Sequence, residues 1–338
     1  MTARIGINGF GRIGRQVFKI IHQNHSGKLE VAAINSRRSP VCLAHILKYD
    51  STYGRYNGGV KSTVDSVIVD GRSISILAGS TPDQIPWGDC DVDLVIEATG
   101  HFKDSHGTSG HLERGAKKVI LTAPSWSADI TIAFGVNEEQ YNPAAHNVIS
   151  AASCTTNCAA PMAKVLHENF GIQRGFLSTI HAYTTSQAIV DQWHKRPRRG
   201  RAAAMNIIPT TTGAATAIGE VIPALEGKIQ GLAFRVPIPD VSIVDFVVDV
   251  DRGGITAEDV NQALRIAAEG PLHGILEFCD EELVSIDFTG NPASAIIDAY
   301  STVVIGNNMV KVLAWYDNER GYSCRIADLT SYIADKGL

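Results

Sequence analysis

The chemistry-bearing stretch of this sequence is a cysteine with a polar run behind it, Cys154-Thr155-Thr156-Asn157-Cys158. Upstream, residues 147–152 have the composition of a short buried strand. Downstream, Ala159 to Phe170 spaces Met162, Val165 and Leu166 for one apolar face of a helix. Cys154 thereby falls at a strand-to-helix junction, with Ser153 as N-cap. The N–H groups and positive end of a helix start favour an anion, so a thiol placed there is expected to lose its proton more easily. The thiolate is the nucleophile. Polar Thr155, Thr156 and Asn157 argue against the small buried hydrophobe that most cysteines are. Cys154 and Cys158 lie four apart, which is not redox C-x-x-C spacing, and no clustered His or Cys supplies a zinc site.

Such a nucleophile needs elements to hold it, and the first half of the chain supplies a parallel α/β pattern. Arg4 to Asn8 reads as a buried strand and Gly9-Phe10-Gly11-Arg12-Ile13-Gly14 follows at once. A helix with Ile13, Val17, Ile20 and Ile21 on one face comes next, then a strand from Leu29 to Ile34. In that context G-x-G-x-x-G means dinucleotide binding, the pyrophosphate resting on the helix N-terminus. The second strand ends in Asn35-Ser36-Arg37-Arg38. No carboxylate stands there to hold a ribose 2′-hydroxyl, and two guanidiniums stand ready for a 2′-phosphate. The sequence therefore predicts a preference for NADP, with NAD possible. Strands at Val92 to Glu97 and Lys118 to Leu121 make Thr99, Gly100 and Thr122 candidate cofactor contacts, since ligands sit at strand C-termini in open α/β sheets.

The second half is β-rich. Arg174 to Tyr183, Gly231 to Pro237, Ser242 to Val250, Ala295 to Ile305 and Met309 to Trp315 read as strands, with a hairpin signal at Gly306-Asn307-Asn308. Thr212 to Ala224, Thr256 to Glu269 and Gly321 to Lys336 read as helices, and Thr256 with Asp259 resembles a capping box. The pattern predicts a mixed or antiparallel sheet with helices on one face. His181 lies in one of these strands, where a lone histidine is usually structural; a thiolate, though, requires a base or cation nearby. The basic run His194 to Arg201, and Arg235 within an apolar strand, suit an anion site.

At 338 residues the chain has room for two domains, and 44% hydrophobic with 19% charged residues suits a globular protein with full cores. A net charge of −5 is too mild to suggest a nucleic-acid or membrane partner. Six cysteines in so long a chain give no disulfide framework, which favours a reducing cytoplasm. No signal-peptide pattern and no membrane-length apolar stretch is visible.

Taken together, these stretches resemble the phosphorylating glyceraldehyde-3-phosphate dehydrogenases. The matching pieces are Ile7 to Arg15, Leu47 to Ser51, Ala152 to Cys158, Thr212 to Ala215, Phe234 to Pro237 and Trp315 to Glu319, in the family's order. The resemblance implies a Rossmann-type dinucleotide-binding domain (residues 1–153, completed by a C-terminal helix 319–338) and an α+β catalytic domain (residues 154–318). It implies a homotetramer acting on glyceraldehyde 3-phosphate and inorganic phosphate. Cys154 matches the family's nucleophile and His181 its activating base. Ser153, Thr155, Thr212 and Gly213 match positions that bind inorganic phosphate or the attacked substrate end. Thr184, Arg199 and Arg235 match those that hold the C3 phosphate, and Asn318 the residue that orients the nicotinamide amide. The chain departs from the NAD-specific pattern at Ser36 (Asp in the family) and at Gln192-Trp193 (Leu-Pro). It departs further at Ser186 (Asp), Arg320 (Trp) and Ala78-Gly79-Ser80, which lacks an Arg. The nearest rival reading is erythrose-4-phosphate dehydrogenase, a sister enzyme that needs no phosphate for acyl release. A non-catalytic nucleotide-site RNA binder is the rival from another class.

Overall fold

In the computed structural model, residues 2–338 are described, the side chains of Ser105 and His106 apart. The chain divides into two compact units, one of residues 1–132, 138–152 and 323–338, the other of residues 133–137 and 153–322.

The first unit is built on a nine-stranded sheet among the described residues. Ala3–Asn8 lies at its centre, parallel to Leu29–Asn35 on one side and Leu94–Glu97 on the other. Lys118–Leu121, Val148–Ser150 and Ile130–Thr131 extend the parallel run. Beyond Leu29–Asn35, the parallel strand Arg72–Leu77 leads into an antiparallel ribbon, Ser66–Val69 and Val60–Ser62, which the sequence reading missed. Central strands are buried almost without interruption, as parallel strands covered on both faces must be. The glycine turn is sterically obligatory. Gly9 has φ 95, and a Cβ there would lie 2.8 Å from the Thr99 nitrogen; a Cβ on Gly14 would collide with the Gly9 carbonyl oxygen.

The second unit holds a seven-stranded mixed sheet in the order Ile208–Thr211, Ile229–Val236, Ile172–Ala182, Ser242–Val250, Met309–Tyr316, Ala295–Ile305, Leu276–Cys279. Ile172–Ala182 runs parallel to Ile229–Val236 and Leu276–Cys279 parallel to Ala295–Ile305; the other pairs are antiparallel. Helices Cys154–Phe170, Ala214–Val221 and Ala257–Glu269 share one core with the sheet, through Met162, Leu166, Ile218, Phe246, Val260 and Leu264 among others. Strand Ser242–Val250 shows the period-2 alternation this requires. The Thr256/Asp259 capping box forms as its spacing predicts.

One expectation is corrected here. The helix begins at Cys154 itself, and Thr155, Thr156 and Asn157 are buried in its first turn. Their polar groups are satisfied locally: Ser153 Oγ accepts from Thr156 N at 3.1 Å and Asn157 Nδ2 donates to Ser153 O at 3.0 Å.

The glycine turn yields a stability test. Gly14→Ala should destabilise by about 1–3 kcal/mol, the usual cost of overpacking a rigid site, read as a lowered denaturant midpoint with unchanged slope.

Candidate active site

Ser153 caps the helix as its type and position predict, which places the Cys154 sulfur at the first turn. Sγ lies 3.4 Å from His181 Nε2, and Cys154 is half-buried. Sheet register supplies the cation: His181 pairs directly with Arg235 on the adjoining parallel strand. Arg235 Nη1 is 2.7 Å from His181 Nδ1 and 2.8 Å from Ala182 O, which His181 Nδ1 also approaches at 2.7 Å.

These contacts select between two tautomers. A carbonyl only accepts, so the Ala182 contact requires a proton on Nδ1; a guanidinium only donates, so the Arg235 contact requires a bare Nδ1. With Nδ1–H on Ala182, Nε2 turns a lone pair to the sulfur and can take its proton. With Nδ1 bare, Nε2–H faces the sulfur and steadies a thiolate instead.

Tyr316 fixes the spacing and was not picked out by sequence reasoning, although it sits inside the quoted motif. Its hydroxyl lies 3.0 Å from Thr155 Oγ1, next to Cys154, and 2.9 Å from Thr179 Oγ1, two residues before His181. Its ring meets His181 edge-on at 5.9 Å. Burial holds the phenol far above its ordinary range, so it stays a neutral hydrogen-bonding group.

The electrostatics run against the expectation of an easily ionised thiol. Burial pushes Cys154 up, and the Arg235 charge with hydrogen bonds from Thr155 pulls it only partly back. Burial, then Arg235, pushes His181 down to about 3. Both groups are thereby biased towards their neutral forms. Arg199 is also close enough to act on His181, and it is lowered by burial and then by Arg235. Arg235 Nε is buried with no hydrogen-bond partner. An anion would satisfy both guanidiniums.

The remaining residues expected at a substrate site have local partners. Thr184 Oγ1 lies 2.9 Å from Ser186 Oγ, Arg199 Nε donates to Thr210 Oγ1 at 2.9 Å, and Ala214 N donates to Thr212 Oγ1 at 3.2 Å. Gly213 caps the helix Ala214–Val221. Neither Thr184 nor Thr212 bonds to Cys154, His181 or Arg235. Asn318 is buried, with Oδ1 accepting from Ser242 Oγ at 2.7 Å.

In the first unit a cavity of about 430 Å³ opens over the glycine turn. Gly9, Gly11, Ser36, Arg37, Arg38 and Thr99 line it, and among the described residues no acidic one does. The helix Arg12–Asn24 starts at Gly11 without a side-chain cap, and a Cβ on Gly11 would meet nothing within 4 Å. Uncapped N–H groups beside open space suit a pyrophosphate. Beneath the cavity the buried Glu97 carboxylate receives Asn8 Nδ2, Thr99 N, Thr99 Oγ1 and His111 Nε2. Asn35 is clamped to Asn8 and to both backbone groups of Gly79. Sequence reasoning missed this network.

Phe10, Arg12, Ile13, Gly100 and Thr122 do not line the cavity. Phe10 packs on Phe18, Arg12 Nη1 pairs with Asp50 at 2.8 Å, and the Thr122 hydroxyl donates to Glu97 O at 3.0 Å. The backbone N–H groups of Arg12 and Ile13 remain part of the helix start.

Two family models match the chain: "Glyceraldehyde 3-phosphate dehydrogenase, NAD binding domain" over residues 3–105 and "Glyceraldehyde 3-phosphate dehydrogenase, C-terminal domain" over residues 153–318. The chain is 53% identical to a glyceraldehyde-3-phosphate dehydrogenase of Geobacillus stearothermophilus and 54% to one of Priestia megaterium, covering 100% of both chains in each case. It is 49% identical to glyceraldehyde-3-phosphate dehydrogenase 2 of a Nostoc species, over 98% of this chain and 99% of that one.

The raised thiol gives a pH test. Burial raises the thiol, and a His181 lowered to about 3 adds no imidazolium at neutral pH. Alkylation of Cys154 by iodoacetamide in the ligand-free protein should therefore level off only above the pH at which a free thiol does; a plateau reached below that of a free cysteine would contradict this.

Proposed function

The chain belongs to the glyceraldehyde-3-phosphate dehydrogenase family, and on that premise we propose that it oxidises glyceraldehyde 3-phosphate to 1,3-bisphosphoglycerate, reversibly, with inorganic phosphate and a nicotinamide coenzyme. The observation that carries this reading is the sulfur of Cys154 at a helix start, 3.4 Å from His181 Nε2, beside a guanidinium with an unmatched donor.

The Cys154 sulfur attacks the aldehyde carbon while its proton passes through His181 to the carbonyl oxygen, giving a hemithioacetal. N–H groups of the first helical turn stabilise the developing oxyanion. His181 Nε2 then takes the hydroxyl proton as C1 becomes a thioester carbonyl. The oxidised nicotinamide, when bound, supplies the acceptor for the hydride that leaves C1. A phosphate oxygen attacks the thioester, the C–S bond breaks, and the thiolate departs from an acyl phosphate. Arg199, Arg235 and Thr184 hold the substrate's C3 phosphate, while Ser153, Thr155, Thr212 and Gly213 serve the incoming phosphate. Asn318 orients the nicotinamide amide.

The coenzyme preference we assign is NADP over NAD. Ser36, Arg37 and Arg38 line the cavity, and among the described residues the lining has no acidic side chain and neither arginine a carboxylate partner. We assign a homotetramer on the apolar side chains that the second unit leaves in water. Phe176 and Tyr300 lie on sheet strands and Ile189 and Trp193 in the loop before the basic run; Trp193 is 87% exposed. Six free cysteines fit a reducing cytoplasm. Among the described residues no helix is long and apolar enough to cross a membrane.

Two measurements test these assignments. His181→Asn should lower kcat by about 10²–10⁴-fold, the usual worth of a positioned base, and near-normal turnover would refute the role. Arg37→Ala with Arg38→Ala should cut kcat/KM for NADP by about 10–100-fold, equivalent to the roughly 1.5–3 kcal/mol of a charged hydrogen bond, and leave NAD within about twofold. Both assays are run with and without inorganic phosphate; turnover that ignores phosphate would exclude the phosphorylating reaction.

A further inference from the structure

Glu97 lies beneath the dinucleotide cavity, 2% exposed, and four donors converge on its carboxylate. They are Asn8 Nδ2, Thr99 N at 2.8 Å, the Thr99 hydroxyl and His111 Nε2 at 3.2 Å. The far ends of the network set the direction of these bonds. Trp87 Nε1, which only donates, is 2.9 Å from His111 Nδ1, so Nδ1 is bare and the imidazole proton sits on Nε2, facing Glu97. On the other side, Gly79 N donates to Asn35 Oδ1 at 2.8 Å and Gly79 O accepts Asn35 Nδ2 at 3.0 Å. The second proton of that amide goes to Asn8 Oδ1 at 2.8 Å, which turns the Asn8 NH₂ onto Glu97.

An indole at one end and a peptide group at the other thus demand the same of Glu97: a group that accepts every bond and donates none. Only an ionised carboxylate does so. His111 is its one neighbour at ion-pair distance among the described residues, and it is neutral in this arrangement. The buried charge is therefore held by hydrogen bonds from neutral groups, which makes each of them costly to lose.

The bonded groups are also the walls of the cavity, which Asn8, Asn35, Gly79 and Thr99 all line. Asn35 stands next to Ser36, Arg37 and Arg38, and its carbonyl accepts Gly9 N at 3.1 Å. The Thr99 hydroxyl, its proton on Glu97, accepts His101 N at 3.1 Å and so closes the 97–101 turn. That turn abuts the glycine turn so closely that a Cβ on Gly9 would lie 2.9 Å from the Thr99 methyl. One charge thereby orients the glycine turn, the 97–101 turn and the rim that carries the two arginines.

We propose that Glu97 is a positioning residue for coenzyme binding, its charge orienting an amide relay through Asn8 and Asn35 that sets the rim where the adenosine end of the dinucleotide is held. The inference rests on the dinucleotide reading of this cavity given above. Glu97→Gln keeps the shape and removes the charge. Its amide must turn an NH₂ either onto Thr99 N or onto Asn8 and His111. Flipping Asn8 in response forces Asn35 over, and both bonds to Gly79 then oppose like with like.

The experiment measures binding of NADP and of NAD to the full chain by calorimetry, without substrate. Glu97→Gln should weaken the better-bound coenzyme by about 10–100-fold, and an unchanged affinity overturns the positioning role. In turnover the loss should fall on the coenzyme KM, with the KM for glyceraldehyde 3-phosphate moved less than about twofold. The discriminating variant exchanges the two groups, Glu97→Gln with Asn8→Asp, and so moves the carboxylate one step along the relay. That restores the arm through Asn35 to Gly79 and leaves the His111 contact unmatched. The exchange should bind coenzyme at least about fivefold more tightly than Glu97→Gln, although Asn8→Asp alone, which sets two carboxylates face to face, weakens binding. Losses that simply add in the exchange overturn the relay. Should Glu97→Gln fail to fold, the exchange must recover folding, and its failure overturns the relay as well. An unmodified chain that binds neither dinucleotide refutes the coenzyme reading and the positioning role with it, while the Tm of the exchange against Glu97→Gln still judges the relay.

Discussion

Everything chemical in the second unit depends on keeping a sulfur on a helix within reach of an imidazole on a strand. Neither element fixes that separation alone. The phenol of Tyr316 does, by bonding one hydroxyl beside the sulfur and another beside the imidazole while its ring abuts the imidazole edge. All three hydroxyl-bearing residues are buried, so the bridge operates where a hydrogen bond is strong and its loss is costly.

The same dryness sets the electrostatics. A half-buried thiol and a buried imidazole, both biased towards neutrality, give a site that holds little charge until something polar arrives. The two arginines are the exception. Each is desolvated, and Arg235 depresses Arg199, so an arriving anion relieves a repulsion as well as filling an unmatched donor. Drawing Arg235 towards an anion also leaves His181 Nδ1 to the Ala182 carbonyl, the tautomer in which Nε2 is a base. On the proposed reading, an anion's charge and the tautomer of His181 are coupled through one guanidinium.

Much of this was legible because it is local. A cap-type Ser before Cys154, glycines at fixed offsets after a strand, Thr256 with Asp259, and Gly306-Asn307-Asn308 between two β-rich runs each act within a few residues. What escaped depends on register. Nothing near Arg235 shows that it faces His181, since that pairing is set by two parallel strands 54 residues apart at this point. Tyr316 reaches Thr155 across 161 residues. The polar first turn of the helix read as exposed because its own capping network, which satisfies it indoors, is visible only once the turn is wound. Thr122 and Arg12 sit where a ligand contact is common, yet each is committed to a neighbour, Glu97 and Asp50.

The first unit is not contiguous in the chain: its last piece, residues 323–338, follows the whole of the second. That piece is no ornament. Ile326, Leu329 and Ile333 are buried, Lys28 pairs with Asp335 at 2.7 Å, and Tyr141 donates to Gly337 O at 3.2 Å. During synthesis the glycine turn and its sheet leave the ribosome first and wait, an apolar flank uncovered, until the final residues emerge. A chain that stalls before residue 323 therefore carries Cys154 and the rest of the second unit but lacks the helical segment that completes the first.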